Sequence, residues 1–129
     1  MEPPKNIKLF KGELATFWFD DTGMLYANAN GIPRTMENQK KNYDFIREIS
    51  NNKKVYILTD TTTSSPLDKK IRIYVEKEVT TVFKAMAIIS HSPLGKMIAN
   101  SFLMIHSPFI PVKLFSGEKE AKEWLEKYI

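Results

Sequence analysis

The sequence predicts an α/β domain: an N-terminal antiparallel β-hairpin followed by αβ units, giving a five-stranded mixed sheet with about four helices. Three observations carry this. Residues 8–29 form two strand-like segments around the turn sequence Asp20-Asp21-Thr22-Gly23. From Thr35 onward, segments with helical apolar spacing alternate strictly with short apolar runs, which calls for parallel strands joined by right-handed crossovers. The length of 129 residues fits one domain, and a chain of this size buries roughly two-thirds of its unfolded surface.

The elements follow in order. Residues 1–7 read as a flexible N-terminal tail, and 8–129 as the single domain. From Lys8 to Phe19, Leu14, Thr16 and Trp18 alternate with Ala15, Phe17 and Phe19, a strand with both faces partly covered. Gly23 supplies the positive φ of the turn, and Met24 to Ala29 returns as the second strand. Asn30-Gly31-Ile32-Pro33 breaks the chain, and Thr35 is an N-cap for a helix to about Ile49. Ser50-Asn51-Asn52 ends that helix, and Val55 to Leu58 is the third strand.

The next helix has Leu67, Ile71, Val75, Val79 and Val82 or Phe83 on one face, with Ser64 or Ser65 as N-cap and Pro66 in the first turn. Ala85 to Ile89 is the fourth strand. Ser92 caps a further helix whose apolar face includes Leu94, Phe102 and Ile105, ending at His106-Ser107-Pro108. Ile110 to Phe115 is the fifth strand, placed at a sheet edge because Pro111 cannot donate to a ladder. Ser116-Gly117-Glu118 opens the last helix, with Ala121, Trp124, Leu125 and Tyr128 on one face.

Composition narrows the function. Hydrophobic residues make up 43% and charged residues 26%, an ordinary balance for a water-soluble domain. The absence of cysteine excludes disulfides, thiolate metal sites and cysteine nucleophiles. His91 and His106 stand far apart in sequence and give no metal signature. No apolar run reaches the roughly 20 residues needed to span a bilayer, and the N-terminus lacks the apolar stretch of a secretion signal. No membrane insertion and a cytoplasmic location are the expectations. The net charge of +4 comes with paired lysines near acidic residues, without basic–aromatic interleaving, so nucleic-acid binding is not expected.

The stretch Thr59 to Ser65 concentrates what function the sequence shows. Six of its seven residues carry a hydroxyl, and it leaves the carboxyl end of a buried strand, the edge where open α/β sheets build their sites. Asp60 either orders the following loop through backbone N–H groups, the favoured reading, or binds a ligand or a metal. With Thr61 and Thr62 it forms a candidate ligand or partner loop, joined by His91, Ser92 and Lys96 of the next strand-to-helix loop. Gly95-Lys96 lacks the earlier glycine and following hydroxyl of a phosphate-binding loop. Asp60, His91 and Ser64 or Ser65 make a hydrolytic set on paper, without a nucleophile elbow or an oxyanion loop.

The element order, with its ending Pro111-Val112-Lys113-Leu114-Phe115 and then a helix containing Ala121-x-x-Trp124-Leu125, resembles the STAS domain and the anti-sigma-factor antagonist (SpoIIAA-like) proteins. It resembles still more their uncharacterised bacterial relatives. Those antagonists carry a phosphorylated serine in an Asp-Ser-Ser/Thr-Gly-Leu loop. Thr63-Ser64-Ser65-Pro66-Leu67 is the nearest match, with Thr63 and Pro66 where the family has aspartate and glycine. The resemblance implies a switch loop at Thr63, Ser64 and Ser65; the residues themselves favour the simpler reading of a helix cap.

The leading expectation is a non-catalytic regulatory or protein-interaction module of STAS-like type, without cofactor or metal. The alternative is a small-molecule or lipid-type ligand-binding protein, and a hydrolase comes third. The large residues on both faces of the first hairpin also suggest that one face covers a partner, a second copy or an apolar ligand, with a homodimer through that sheet or the adjoining helix as one form of this.

Overall fold

The computed structural model describes residues 1–91 and 110–129. The helix expected after Ser92, and with it Ser92, Lys96 and His106, lies outside the described residues. The described chain forms one mixed sheet of six strands in sequential order, with three helices. The strands are β1 (Phe10–Lys11), β2 (Ala15–Phe19), β3 (Leu25–Ala29), β4 (Val55–Asp60), β5 (Phe83–Ile89) and β6 (Val112–Phe115). The helices are α1 (Met36–Ile49), α2 (Lys69–Val82) and α3 (Glu118–Glu126). β1, β2 and β3 pair antiparallel, and β3 through β6 pair parallel.

The sixth strand arises where the sequence suggested one long one. Gly12 N–H donates to the Ala15 carbonyl at 2.9 Å, so the chain reverses between β1 and β2. A Cβ at Gly12 would stand only 3.1 Å from the Phe45 ring, so a side chain there would press on the α1 packing. The β2–β3 turn follows expectation, with Gly23 at φ +86°. Asp20 Oδ1 orders it by accepting from Thr22 N at 2.8 Å and Met24 N at 3.1 Å.

Helix α1 starts where Thr35 predicts. Its hydroxyl accepts from Asn38 N at 3.1 Å, and Asn38 Oδ1 accepts from Thr35 N at 2.8 Å, a reciprocal capping box. Asn51 and Asn52 take left-handed backbone at φ 54° and 60°, which asparagine tolerates, and end the helix.

Helix α2 departs from expectation. Its N-cap is Asp68, whose carboxylate accepts from Ile71 N at 2.9 Å. Ser64 and Ser65 do not cap it, because their hydroxyls are committed elsewhere. Helix α2 runs into β5 without a loop, and Pro111 lies just before β6, which is a sheet edge.

The sheet carries a core on each face. On one side Phe17, Leu25, Ala27, Val55, Ile57 and Phe83 pack with Tyr43 and Ile46 of α1 and Val79 and Val82 of α2. On the other, Trp18, Tyr26, Leu58, Ala85, Ala87 and Ile89 pack with Ala121 and Leu125 of α3. The bulky hairpin residues are therefore covered within the chain: Phe17 is 1% exposed and Trp18 2%. The feature that suggested a homodimer is explained by two internal cores. The N-terminal residues expected as a tail include Met1 packed on the second core, its amino group donating to Asn28 Oδ1 at 2.9 Å and Asp60 Oδ2 at 3.1 Å.

Candidate functional site

Strand alternation divides the carboxyl end of the sheet between two places. In β4, Ile57 and Thr59 face α1 and α2, while Leu58 faces α3. Asp60 follows Leu58 and meets Met1 and Asn28 on that second side. Asp60 Oδ1 accepts from both the amide and the hydroxyl of Thr62, with the amide at 2.9 Å. Burial pushes its pKa up, but the Thr62 hydrogen bonds and the Met1 amino group outweigh it and hold the carboxyl below its ordinary value. Asp60 therefore orders its loop, one of the two roles expected of it. Thr62, Thr63 and the exposed His91 line the same shallow depression as Asp60.

Ser64 lies on the other face, lining a different cavity. The structure thus places Asp60 with His91 and puts Ser64 apart from them. Among the described residues no hydrogen bond joins His91 to Asp60 or to a serine, and no group of three metal-ligating side chains gathers.

The hydroxyl loop is stitched to its surroundings. Thr61 donates its amide and its hydroxyl to the Ile89 carbonyl, at 3.1 and 2.9 Å, tying the loop to the end of β5. The Thr63 hydroxyl donates to the Ala29 carbonyl at the end of β3. The Ser65 hydroxyl accepts from Arg34 N at 3.1 Å and donates to the Ile32 carbonyl. The Ser64 hydroxyl accepts from Arg34 Nε at 3.2 Å. The serines expected to cap α2 instead bridge two loops, the one before α1 and the one before α2.

Beneath this bridge lies a cavity of about 190 Å³, partly open to solvent. Its floor consists of small sheet residues, Ala15, Ala27 and Ala29, with Ile57 and Thr59 beside them. Tyr43 and Ile46 of α1 and Leu67 and Val75 from the α2 side complete the apolar wall. The space exists because three alanines stand where larger strand residues would fill the layer.

Arg34, Gln39 and Asn42 supply the polar groups. Arg34 Nη1 donates to Gln39 Oε1 at 2.8 Å, so α1 and the hydroxyl loop together aim the guanidinium. Both acceptors are neutral, and among the described residues Arg34 has no carboxylate partner. Burial pulls its pKa down, against a weaker opposing influence from Tyr43, but a guanidinium stays charged in proteins. Burial likewise pushes the Tyr43 phenol up, so it is a neutral hydroxyl. Asn42 Oδ1 is buried with no hydrogen-bond partner, and such groups ask for an explanation. Arg34 was not singled out in the sequence. A lone arginine between Pro33 and the cap Thr35 carries no local pattern that separates it from a surface residue.

A family model described as a domain of unknown function, DUF7793, matches residues 17–129. The chain belongs to the DUF7793 family. Its fold is the SpoIIAA-like fold that the sequence resemblance implied. The crystal structure of an uncharacterised DUF3478 family protein from Shewanella loihica PV-4, described as having a SpoIIAA-like fold, superposes with a TM-score of 0.60. That match covers 97% of this chain and 98% of the other at 17% identity, a likeness of fold. No curated protein matches the sequence. Among the described residues of this DUF7793 chain, no helix is long and apolar enough to cross a membrane.

Proposed function

We propose that this DUF7793 chain is a non-catalytic binding module that takes a small, largely apolar ligand between its sheet and helices α1 and α2. The observation that carries this reading is the cavity of about 190 Å³ under the hydroxyl loop. It lies at the carboxyl ends of parallel strands, where open α/β sheets place ligands. Pockets for drug-sized ligands occupy roughly 300–1,000 Å³, whereas an engineered cavity of about 150 Å³ takes up benzene. The occupant is therefore the size of a single ring or a short chain, not of a long-chain lipid. A regulatory role fits this reading, because the hydroxyl loop covering the cavity joins three strand or loop ends and would register occupancy.

The test is a methyl-resolved NMR titration with neutral, ring-sized probes such as benzamide and benzyl alcohol. Shifts confined to Ile46, Ile57, Val75 and Ile88, with a raised melting temperature, are the expected result. No shift at millimolar probe, or shifts only at surface methyls, would remove the reading.

One contact favours a second reading, the phosphorylation switch at Ser64. Arg34 Nε already reaches its hydroxyl, and a phosphate there would gain a charge-assisted partner. Unmodified Ser64 in intact-mass and peptide spectra of protein from its own cells, across growth conditions, would count against it.

A further inference from the structure

The cavity has more chemical character than an apolar hole, and its polar groups define the ligand further, provided the binding reading above holds. Arg34 offers five N–H donors, of which Nε is held by Ser64 and one on Nη1 by Gln39. Among the described residues Nη2 has no partner, and Arg34 is the one cavity-lining side chain ionised at neutral pH. A half-buried cation without a counter-ion is costly unless something anionic completes it. One guanidinium matches one carboxylate, whose two oxygens can meet its parallel N–H groups. A phosphate dianion would leave charge over, since among the described residues the cavity offers no second cation.

The second polar requirement is Asn42 Oδ1, a buried acceptor with no donor. Gln39, which holds Arg34, and Asn42 lie three residues apart on α1, and both line the cavity. Three residues of helix advance about 5 Å. Helix α1 runs from the carboxyl edge of the sheet toward its amino edge, so Asn42 lies further inside than the guanidinium.

We infer that the cavity binds a small monocarboxylate: its carboxylate on Arg34 at the mouth, a ring-sized apolar body over Ala27 and Ile57, and an O–H or N–H donor at its far end for Asn42. The probe of matching size and spacing is 4-hydroxybenzoate, and its controls are benzoate and 4-hydroxybenzamide.

The experiment is calorimetric or NMR titration of the full chain with these three compounds. The acid is expected to bind at least about tenfold more tightly than its amide, the range a charge-assisted pair supports. Loss of the 4-hydroxyl is expected to weaken binding several-fold. Arg34→Gln should erase the acid-over-amide preference, and Asn42→Leu should erase the preference for the 4-hydroxyl. Equal binding of acid and amide by the unmodified protein would overturn this inference and leave the binding reading standing. Failure of all three probes and of the neutral ones would bring down both. The comparison within the unmodified protein needs no variant, so a misfolded Arg34→Gln would not shelter the inference.

Discussion

Ala27→Val asks directly whether the space beneath the hydroxyl loop is real. Ala27 sits in the middle of β3, 1% exposed, between Phe17 of β2 and Thr59 of β4, and it lines the cavity floor. Valine adds two carbon groups there. At about 0.8 kcal/mol per buried methylene the gain is about 1.6 kcal/mol. Restricting the new side chain offsets a few tenths to half a kcal/mol, and valine suits a strand backbone. The net expectation is about 1 kcal/mol of added stability. If the layer were already filled, the same change would overpack it and cost about 1–3 kcal/mol. The two cases differ in sign, so the measurement is decisive. Urea unfolding at pH 7 should show the midpoint rising by about 0.5–1 M at an unchanged slope, and the melting temperature should rise by about 3–5 °C. Affinity for 4-hydroxybenzoate should fall in the same variant, because the added carbons occupy the space of its ring. A midpoint that drops would refute the cavity and every ligand argument built on it.

Asp68→Ala should cost about 1 kcal/mol by removing the α2 cap, whereas Ser64→Ala and Ser65→Ala should leave α2 intact; helix-resolved hydrogen exchange separates the outcomes, and a larger effect at either serine would restore it as the cap. Thr63→Val should release the loop from the Ala29 carbonyl at a cost of about 1 kcal/mol, seen as faster amide exchange over residues 61–65, and unchanged exchange would show that this contact does not hold the loop. Asp20→Asn tests the β2–β3 turn through pH. Burial raises the Asp20 pKa, but hydrogen bonds from the Thr22 and Tyr26 hydroxyls and the Thr22 and Met24 amides outweigh it and bring the carboxyl below its ordinary 3.8. Its contribution is therefore fully present above about pH 4 and lost as pH falls through that value toward the folded pKa. The stability gap between the parent and Asp20→Asn should be wide at pH 7 and narrow by pH 3 in urea unfolding. A gap independent of pH would show that the carboxylate charge is not what orders the turn.

Much of the architecture was legible because local chemistry and global fold agree at particular residues. Thr35 looked like a cap and is one, Gly23 looked like a turn glycine and takes positive φ, and the Pro111 strand does lie at an edge. The misreadings have physical causes. The run from Lys8 to Phe19 alternates well enough to pass for one strand, and Gly12 was the available sign that it folds back on itself. Serine before proline is a good helix start, so the sequence points to an α2 cap earlier than the one the fold uses. Asp68 is as strong a cap and stands three residues before Ile71, so it took the role once the serines had found partners across the loop. The candidate site was half legible. The hydroxyl stretch marked the right edge of the sheet, but the cavity under it depends on three alanines from two strands and on Arg34 from another loop. Their convergence is a property of the pairing of β2, β3 and β4, and no spacing along the chain reveals it.

The hydroxyl stretch follows from the charge it helps to position. A guanidinium at a cavity mouth must be oriented, or its side-chain freedom would dilute any site it forms. Carboxylates would orient it most strongly, but each would also neutralise it and occupy the N–H pairs an incoming anion needs. Ser64 and Gln39 hold Nε and Nη1 with neutral oxygens, fixing direction without themselves neutralising the charge. Thr61, Thr63 and Ser65 then fasten the loop that carries Ser64 to the ends of β5 and β3 and to the chain before α1, using hydroxyls that add no charge near Arg34. The one acidic residue in the stretch, Asp60, points to the opposite face of the sheet by strand alternation, where Thr62 and Met1 engage it. A loop of hydroxyls with its carboxylate turned away is the arrangement that keeps a half-buried arginine ordered and, among the described residues, without a carboxylate partner.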